Sequence, residues 1–256
     1  MTNHRSPEVS LDPWPKAIDW YDITLASPAE NLALDEVLLQ DVDRHPERGI
    51  LRTWEPSTTF VVVGRSNRMD VEVDVPRCQA EGIRLFRRSS GGGAVVVGPG
   101  CFAFTLALPL TAELRSLGVS VVTRQVMETV AAPLATTQAP VGVCGVSDLV
   151  IGDRKFSGNS ERWLRNAFLH HGTILYDFDL SIVGRYLRSP SRQPDYRSGR
   201  SHDDFVTNLS LSRSEIIRRV VSAWRAAPGV CPEKALEEAR SLARLRYERD
   251  EWNFER

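Results

Sequence analysis

Between Arg88 and Glu113 the chain runs from Ser89 to Ala112 without a charged residue. An uncharged stretch this long raises the question of a membrane span. Its residues argue against one. Gly91, Gly92, Gly93, Gly98, Pro99, Gly100 and Pro109 interrupt it, and a helix facing lipid tolerates such interruptions badly because freed backbone groups find no partner in hydrocarbon. The run reads instead as a glycine loop followed by buried strands. From Cys101 to Leu108, the residues Phe102, Phe104, Leu106 and Leu108 recur with the two-residue period of a strand.

Other segments read as follows. Ser27-Pro28-Ala29-Glu30 is a capping box with proline at the first helical position, opening a helix to about Asp43 with Leu34, Val37, Leu38 and Val42 on one face. Phe60 to Val63 and Ile83 to Arg88 read as strands. Val122, Val126, Val130 and Leu134 mark a helix from Val121 to Leu134. Ser147 to Asn159 is a hairpin turning at Gly152-Asp153, and Gly172 to Asp177 is a further strand. Ser212-Arg213-Ser214-Glu215 is a second capping box, opening a helix through Trp224, and residues 233–246 form a last helix. Regular strand–helix alternation is missing. The expected class is therefore α+β, with a mixed, largely antiparallel sheet flanked by helices. Residues 1–18 read as a loose lead-in, and 19–256 as one catalytic-type domain.

Composition excludes several functions. The 256 residues are 42% hydrophobic and 25% charged, which suits a globular chain able to bury a sizeable core. The 32 basic and 33 acidic residues leave a net charge of −1. That excludes a strongly basic nucleic-acid binder, and no membrane association is expected. No two of Cys78, Cys101, Cys144 and Cys231 stand at C-x-x-C spacing, so a zinc or redox motif is unsupported and a reduced, cytoplasmic setting is expected. No apolar signal core follows Met1. Only Lys16, Lys155 and Lys234 are lysines; every other basic residue is arginine. Where a lysine does stand, a compact, flexible ammonium is the property that arginine lacks.

Four places carry candidate chemistry. In Arg87-Arg88-Ser89-Ser90-Gly91-Gly92-Gly93-Ala94-Val95, three glycines after a strand allow close backbone approach, and their N–H groups can form an anion-binding concavity beside two fixed charges. The spacing fits neither a Walker A loop nor a dinucleotide fingerprint, and a plain glycine turn is an equal alternative. In the hairpin, simple alternation puts Lys155, Ser157 and Asn159 on one face and Phe156 and Gly158 on the other. Lys155 then projects from a rigid element, placed to hold a phosphate or a developing oxyanion; the bland alternative is a solvated lysine. His170 and His171 point to opposite faces of a strand and cannot easily share a metal. One core or pocket-wall histidine and one surface histidine is the better reading. Arg188, Arg192, Arg197 and Arg200 stand in a proline-containing loop that either meets an anionic ligand or acidic partner or is merely solvated. Cys144 has no base beside it in sequence and reads as a bland thiol.

Together these segments resemble the lipoate–protein ligase A family, the biotin/lipoate protein ligase type of catalytic domain. The matches occur in order: Arg87 to Val95; Asp148-Leu149-Val150 with Gly152-Asp153-Arg154-Lys155 and Ser157-Gly158; His170 to Leu175; Val206-Thr207-Asn208-Leu209; and Asp250 to Phe254. The resemblance implies the fold shared by biotin protein ligases and class II aminoacyl-tRNA synthetases. It implies a ligase that activates lipoate or octanoate with ATP as an acyl-adenylate. The acyl group then passes to a lysine on a lipoyl domain, of a 2-oxoacid dehydrogenase or the glycine cleavage H protein. By position, Lys155 contacts the acyl carbonyl and the phosphate. Arg88, Gly92, Gly93, Ala94, Val95 and Val96, with Asp148, Ser157, Gly158 and His171, bind nucleotide and acyl group, and Asp148 helps to place Mg²⁺. Val96 and Val97 stand where many relatives carry a histidine. The small C-terminal accessory domain of single-chain ligases is not expected here, and a separate small subunit is a candidate partner. Two other activities fit the same fold: an octanoyltransferase working from acyl carrier protein through a Cys144 thioester, and a non-catalytic binder of lipoylated proteins.

Overall fold

The computed structural model describes residues 13–137 and 139–255. Most of the expected lead-in lies outside the described residues, but Trp14 is packed against Trp224 with ring centroids 5.1 Å apart. Eleven strands are described: β1 (Ile18–Asp22), β2 (Gly49–Trp54), β3 (Phe60–Val63), β4 (Arg84–Arg87), β5 (Val95–Val97), β6 (Cys101–Pro109), β7 (Val141–Cys144), β8 (Asp148–Ile151), β9 (Arg154–Trp163), β10 (Ala167–Leu175) and β11 (Ala227–Pro228). Eight of them form one sheet in the order β11-β1-β2-β6-β10-β9-β8-β7, and β4-β3-β5 form a second, small one. In the large sheet β1 runs parallel to β2 and β11, and every other pairing is antiparallel. The expected mixed α+β architecture is borne out.

The uncharged run explains the centre of this sheet. All nine residues of β6 are buried. Phe102, Phe104, Leu106 and Leu108 enter one core, against the helices Val119–Leu134 and Arg213–Ala223. Cys101, Ala103 and Ala107 enter the other, against the helices Pro28–Arg44 and Glu233–Leu242. A strand covered on both faces has no position at which charge is inexpensive.

The capping box at Ser27 forms in full: its Oγ accepts from Glu30 N at 3.1 Å, and Glu30 Oε2 accepts from Ser27 N at 3.4 Å. The helix it opens is buried on more than the expected face, and Asn31, Asp35 and Glu36 are buried with it. At Ser212 only half the box forms. Its hydroxyl caps Glu215 N, but the Glu215 carboxylate turns to Arg218 and Arg219. The expected last helix stops at Leu242 and continues as a wide π turn, Ala243–Tyr247. β10 begins at Ala167, earlier than Gly172, so both histidines are strand residues. β2 carries no strand signature because Arg52 interrupts it, yet all six of its residues are buried. No helix among the described residues is long and apolar enough to cross a membrane.

Candidate functional site

The two arginines ahead of the glycines do different work. Arg87 is fully buried and acts as a bracket: its Nη1 donates to the carbonyls of Gly64 and Asn67, and its Nε donates to Trp252 O. Its backbone N–H donates to Asn253 Oδ1, while Trp252 Nε1 donates back to Arg87 O. The motif Asp250 to Phe254 thus fastens the glycine loop. Arg88 is buried too, but its hydrogen bonds go only to carbonyls within the loop, Gly91 O at 2.7 Å and Gly93 O at 2.9 Å. No carboxylate faces it among the described residues, and burial alone pushes its guanidinium down to about 10. A buried cation without a counter-charge is costly, and an anion arriving beside it recovers that cost. Close packing and backbone geometry dictate two glycines here, Gly64 and Gly92, whereas a Cβ on Gly91 or Gly93 would meet nothing within 4 Å. A Cβ on Gly64 would stand 2.0 Å from Gly92 O, and Gly92 itself has φ +82°.

The lysine hairpin lies beside this loop, with Ser160 Oγ of β9 donating to Gly91 O at 2.7 Å. Lys155 Nζ lies 2.7 Å from Asp148 Oδ1, and Tyr196 Oη donates to Asp148 Oδ2 at 2.7 Å. Burial and the adjoining Asp148 charge raise the Tyr196 phenol, so it stays a donor. The expected sharing of faces does not hold. The pairing jumps from Leu149↔Ser157 to Val150↔Lys155, leaving Phe156 as the extra residue of a β-bulge. The phase shifts by one, and the ammonium lies on the Gly158 face: a Cβ on Gly158 would sit 2.9 Å from Nζ. Ser157 faces the other way, is 1% exposed, and its Oγ accepts from Asn159 Nδ2. The Val206-Thr207-Asn208-Leu209 motif steadies this strand, with Thr207 N donating to Lys155 O and Asn208 pairing with the Phe178 backbone at both ends.

His171 is held from both sides, and the expected surface histidine is not found. Its Nδ1 faces Asp35 Oδ2 at 3.1 Å and its Nε2 faces Ser90 Oγ at 2.6 Å. Burial lowers its pKa below the ordinary 6.5, against the upward pull of Asp35, and nearby Arg88 adds to the lowering. The ring is therefore neutral at pH 7, with Nδ1–H donating to Asp35 and Nε2 accepting from Ser90. Asp35 would be raised by burial, but the hydrogen bond from His171 and the Arg52 ion pair at 2.7 Å outweigh it and hold the carboxyl low. His170 turns to the opposite core, where Nδ1 meets Glu161 Oε1 at 2.9 Å and the ring stacks on Phe104.

These parts wall one cavity of about 520 Å³. Arg88, Gly92, Gly93, Asp148, Lys155 and His171 are among its polar lining, and Trp54, Phe60, Val97, Leu175 and Phe205 among its apolar lining. Ala94, Val95, Val96, Ser157 and Gly158 also border it. A concave, mostly apolar space with a few convergent polar groups is the form that small-molecule sites take. Cys144, paired with Asp148 across β7 and β8, does not line it. Sequence reasoning missed Asp35 and Tyr196. Asp35 had one signal, a charged residue amid the apolar positions of a helix; Tyr196 had none. Of the arginine loop, Arg188, Arg192 and Arg197 border the cavity, while Arg200 pairs with Asp153. No group of three or more His, Cys, Asp or Glu residues gathers for a metal ion among the described residues.

The family model described as lipoyl protein ligase A/B catalytic domain matches residues 27–224. The chain belongs to that family. Among this lipoyl ligase family, a probable lipoate-protein ligase A of Mycoplasma genitalium is 29% identical over 237 residues, covering 89% of this chain and 69% of that one. A solved lipoate-protein ligase A bound with ATP superposes with a TM-score of 0.81 at 22% identity, covering 93% of this chain and 98% of the other. A structure of the bipartite lipoate protein ligase of Thermoplasma acidophilum with its E2 lipoyl domain gives 0.79, also at 22% identity, covering 93% and 96%. The resemblance read from the motifs is borne out, and so is the assignment to ligases.

Proposed function

We propose that this chain is a lipoate–protein ligase that activates lipoate or octanoate with ATP as an acyl-adenylate and transfers the acyl group to a lysine of a lipoyl domain. The observation that carries the reading is the shared cavity: the acid-free guanidinium of Arg88 and the glycine loop at one wall, the Lys155 ammonium at another, and an apolar recess alongside. Arg88 and the backbone N–H groups of Gly93 to Val96 hold the phosphates. The acyl tail lies in the recess. Its carboxylate oxygen attacks the α-phosphorus, the bond to pyrophosphate breaks, and Lys155 stabilises the charge shared between the acyl and phosphoryl oxygens. The acceptor amine, having lost its proton, then attacks the acyl carbon, and AMP leaves with the bonding electrons. His171, neutral and fixed, orients Ser90 at the base of the loop.

The donor set fits magnesium as a companion of the nucleotide. Asp148 is an ionisable carboxylate on this wall with a second lone pair on each occupied oxygen, and Mg²⁺ is commonly bound through one or two carboxylates plus substrate phosphates and water. Asp148 would be its protein ligand, and the ion would neutralise phosphate charge. Apolar walls slow hydrolysis of the mixed anhydride by excluding water.

The test is mass spectrometry of an apo lipoyl domain incubated with the chain and either lipoate plus ATP·Mg²⁺ or octanoyl carrier protein. A mass gain that requires ATP supports the ligase. A gain only from the carrier, abolished by Cys144→Ser, replaces it with the transferase, and no gain in either mixture points to a binder. Lys155→Ala should keep the fold and lower acyl transfer by about 10²–10³-fold, the usual cost of losing one preorganised charge donor. Near-normal turnover would end the role given to Lys155.

A further inference from the structure

We propose that Arg188 and Arg192 form the docking rim for the acceptor protein, and that the surface they recognise carries carboxylates beside its target lysine. The inference rests on the ligase reading, which requires a second protein to bring an amine to the cavity.

Residues 185–200 hold five arginines against one acid, Asp195. The outer two are neutralised within the chain: Arg185 by Glu81 and Arg200 by Asp153, both at 2.8 Å. Arg197 is buried, with its guanidinium over the Phe205 ring. Arg188 and Arg192 differ. Both are exposed and border the cavity, and neither reaches an acidic side chain among the described residues. Some exposed arginines elsewhere find one, Arg68 with Asp70 and Arg124 with Glu128; others, such as Arg165 and Arg244, do not among the described residues, but those do not border the cavity. The loop that carries the two is anchored, because Arg188 N donates to Glu72 O at 2.9 Å and Ser191 Oγ bonds the Glu72 carboxylate. Val146 also borders the cavity with 82% of its surface in water, a further unpartnered contact at the entrance. Unpaired charge of one sign at an entrance steers and orients a partner of the opposite sign, and arginine is enriched where proteins meet.

Two measurements on the full chain test this. Activation is read as lipoate-dependent exchange of pyrophosphate into ATP. Transfer is read with synthetic lipoyl-adenylate as donor and a purified apo lipoyl domain as acceptor. For Arg188→Glu/Arg192→Glu the expected result is unchanged exchange, an unchanged kcat for transfer, and a KM for the lipoyl domain raised about tenfold at low salt. The wild-type KM should climb with ionic strength and the variant's should not. Arg188→Gln and Arg192→Gln should show smaller rises in the same direction at an unchanged melting temperature. A lipoyl domain with acidic surface residues changed to lysine should recover affinity for the double-Glu variant. Loss of exchange with a steady acceptor KM would overturn the proposal and assign the arginines to the nucleotide. An unchanged KM in every variant would overturn it outright. Wild-type chain that neither exchanges pyrophosphate nor transfers from the adenylate would remove the ligase reading, and the rim with it.

Discussion

His171 shows how one residue can couple pH to this site. It was visible in sequence as half of a histidine pair, but its partner Asp35 lies 136 positions earlier, marked only as a charged residue amid the apolar positions of a helix and by nothing that ties it to a histidine. Burial keeps the folded-state ring below the ordinary value of 6.5. The unfolded chain therefore binds the proton more readily, and stability rises with pH. The contribution is fully present above about pH 6.5 and is lost as pH falls through the lower folded-state value. Melting temperatures between pH 5 and 8 should drop on acidification for the wild type and drop less for His171→Asn, which keeps a donor for Asp35 but does not titrate. Equal slopes would show that another group sets the dependence. Lys155 was more legible. Its rarity and its place on a hairpin were enough to single it out, whereas the Tyr196 hydroxyl that fixes its partner Asp148 belongs to a loop with no periodicity to read.

At the scale of elements, sequence spoke clearly wherever a local rule acted alone. The Ser27 box and the Gly152-Asp153 turn depend on neighbours a few residues away, and β6 announced itself by its own alternation and lack of charge. β2 did not, because its central Arg52 is neutralised by Asp35 on another element; no window of sequence contains both. The short Asp250–Asn253 helix is likewise defined by a distant partner. Asn253 Oδ1 accepts from Arg87 N and its Nδ2 donates to Tyr247 O at 2.9 Å, all in the interior. Asn253→Ala leaves both backbone groups unsatisfied and should cost about 1–3 kcal/mol each. The same variant frees the strand that ends at Arg87, one residue before Arg88. Chemical denaturation should show the stability loss, and the KM for ATP should rise with it. An unchanged KM would mean that Arg88 is held by its own loop alone.

The whole molecule divides its labour across the large sheet. The cavity opens mainly into the core that holds Trp54, Phe60, Val97 and Leu175, while the opposite core contains Phe168, Val126, Ile216 and Val220 and supplies few walls. Phe168 is fully buried and stacked on Trp163 at 4.6 Å. Phe168→Ala should cost about 3–5 kcal/mol, a large part of an ordinary domain's stability, yet leave the substrate KM values of the folded fraction unchanged. Urea denaturation and kinetics on the same preparation check both halves of that statement. The class of fold was readable from the mixture of elements. The separate sheet β4-β3-β5 was not, since strand order depends on pairings between segments far apart in the chain.

The bulge at Phe156 has a practical consequence for anyone who would widen or narrow the range of acids this protein accepts. A mutagenesis library drawn up on simple alternation would randomise 157 and 159, whose side chains hydrogen-bond each other rather than the ammonium. Position 158 together with its cross-strand neighbours 148 and 173 shares the ammonium's side of the sheet, so diversity placed there would reshape the reacting end directly.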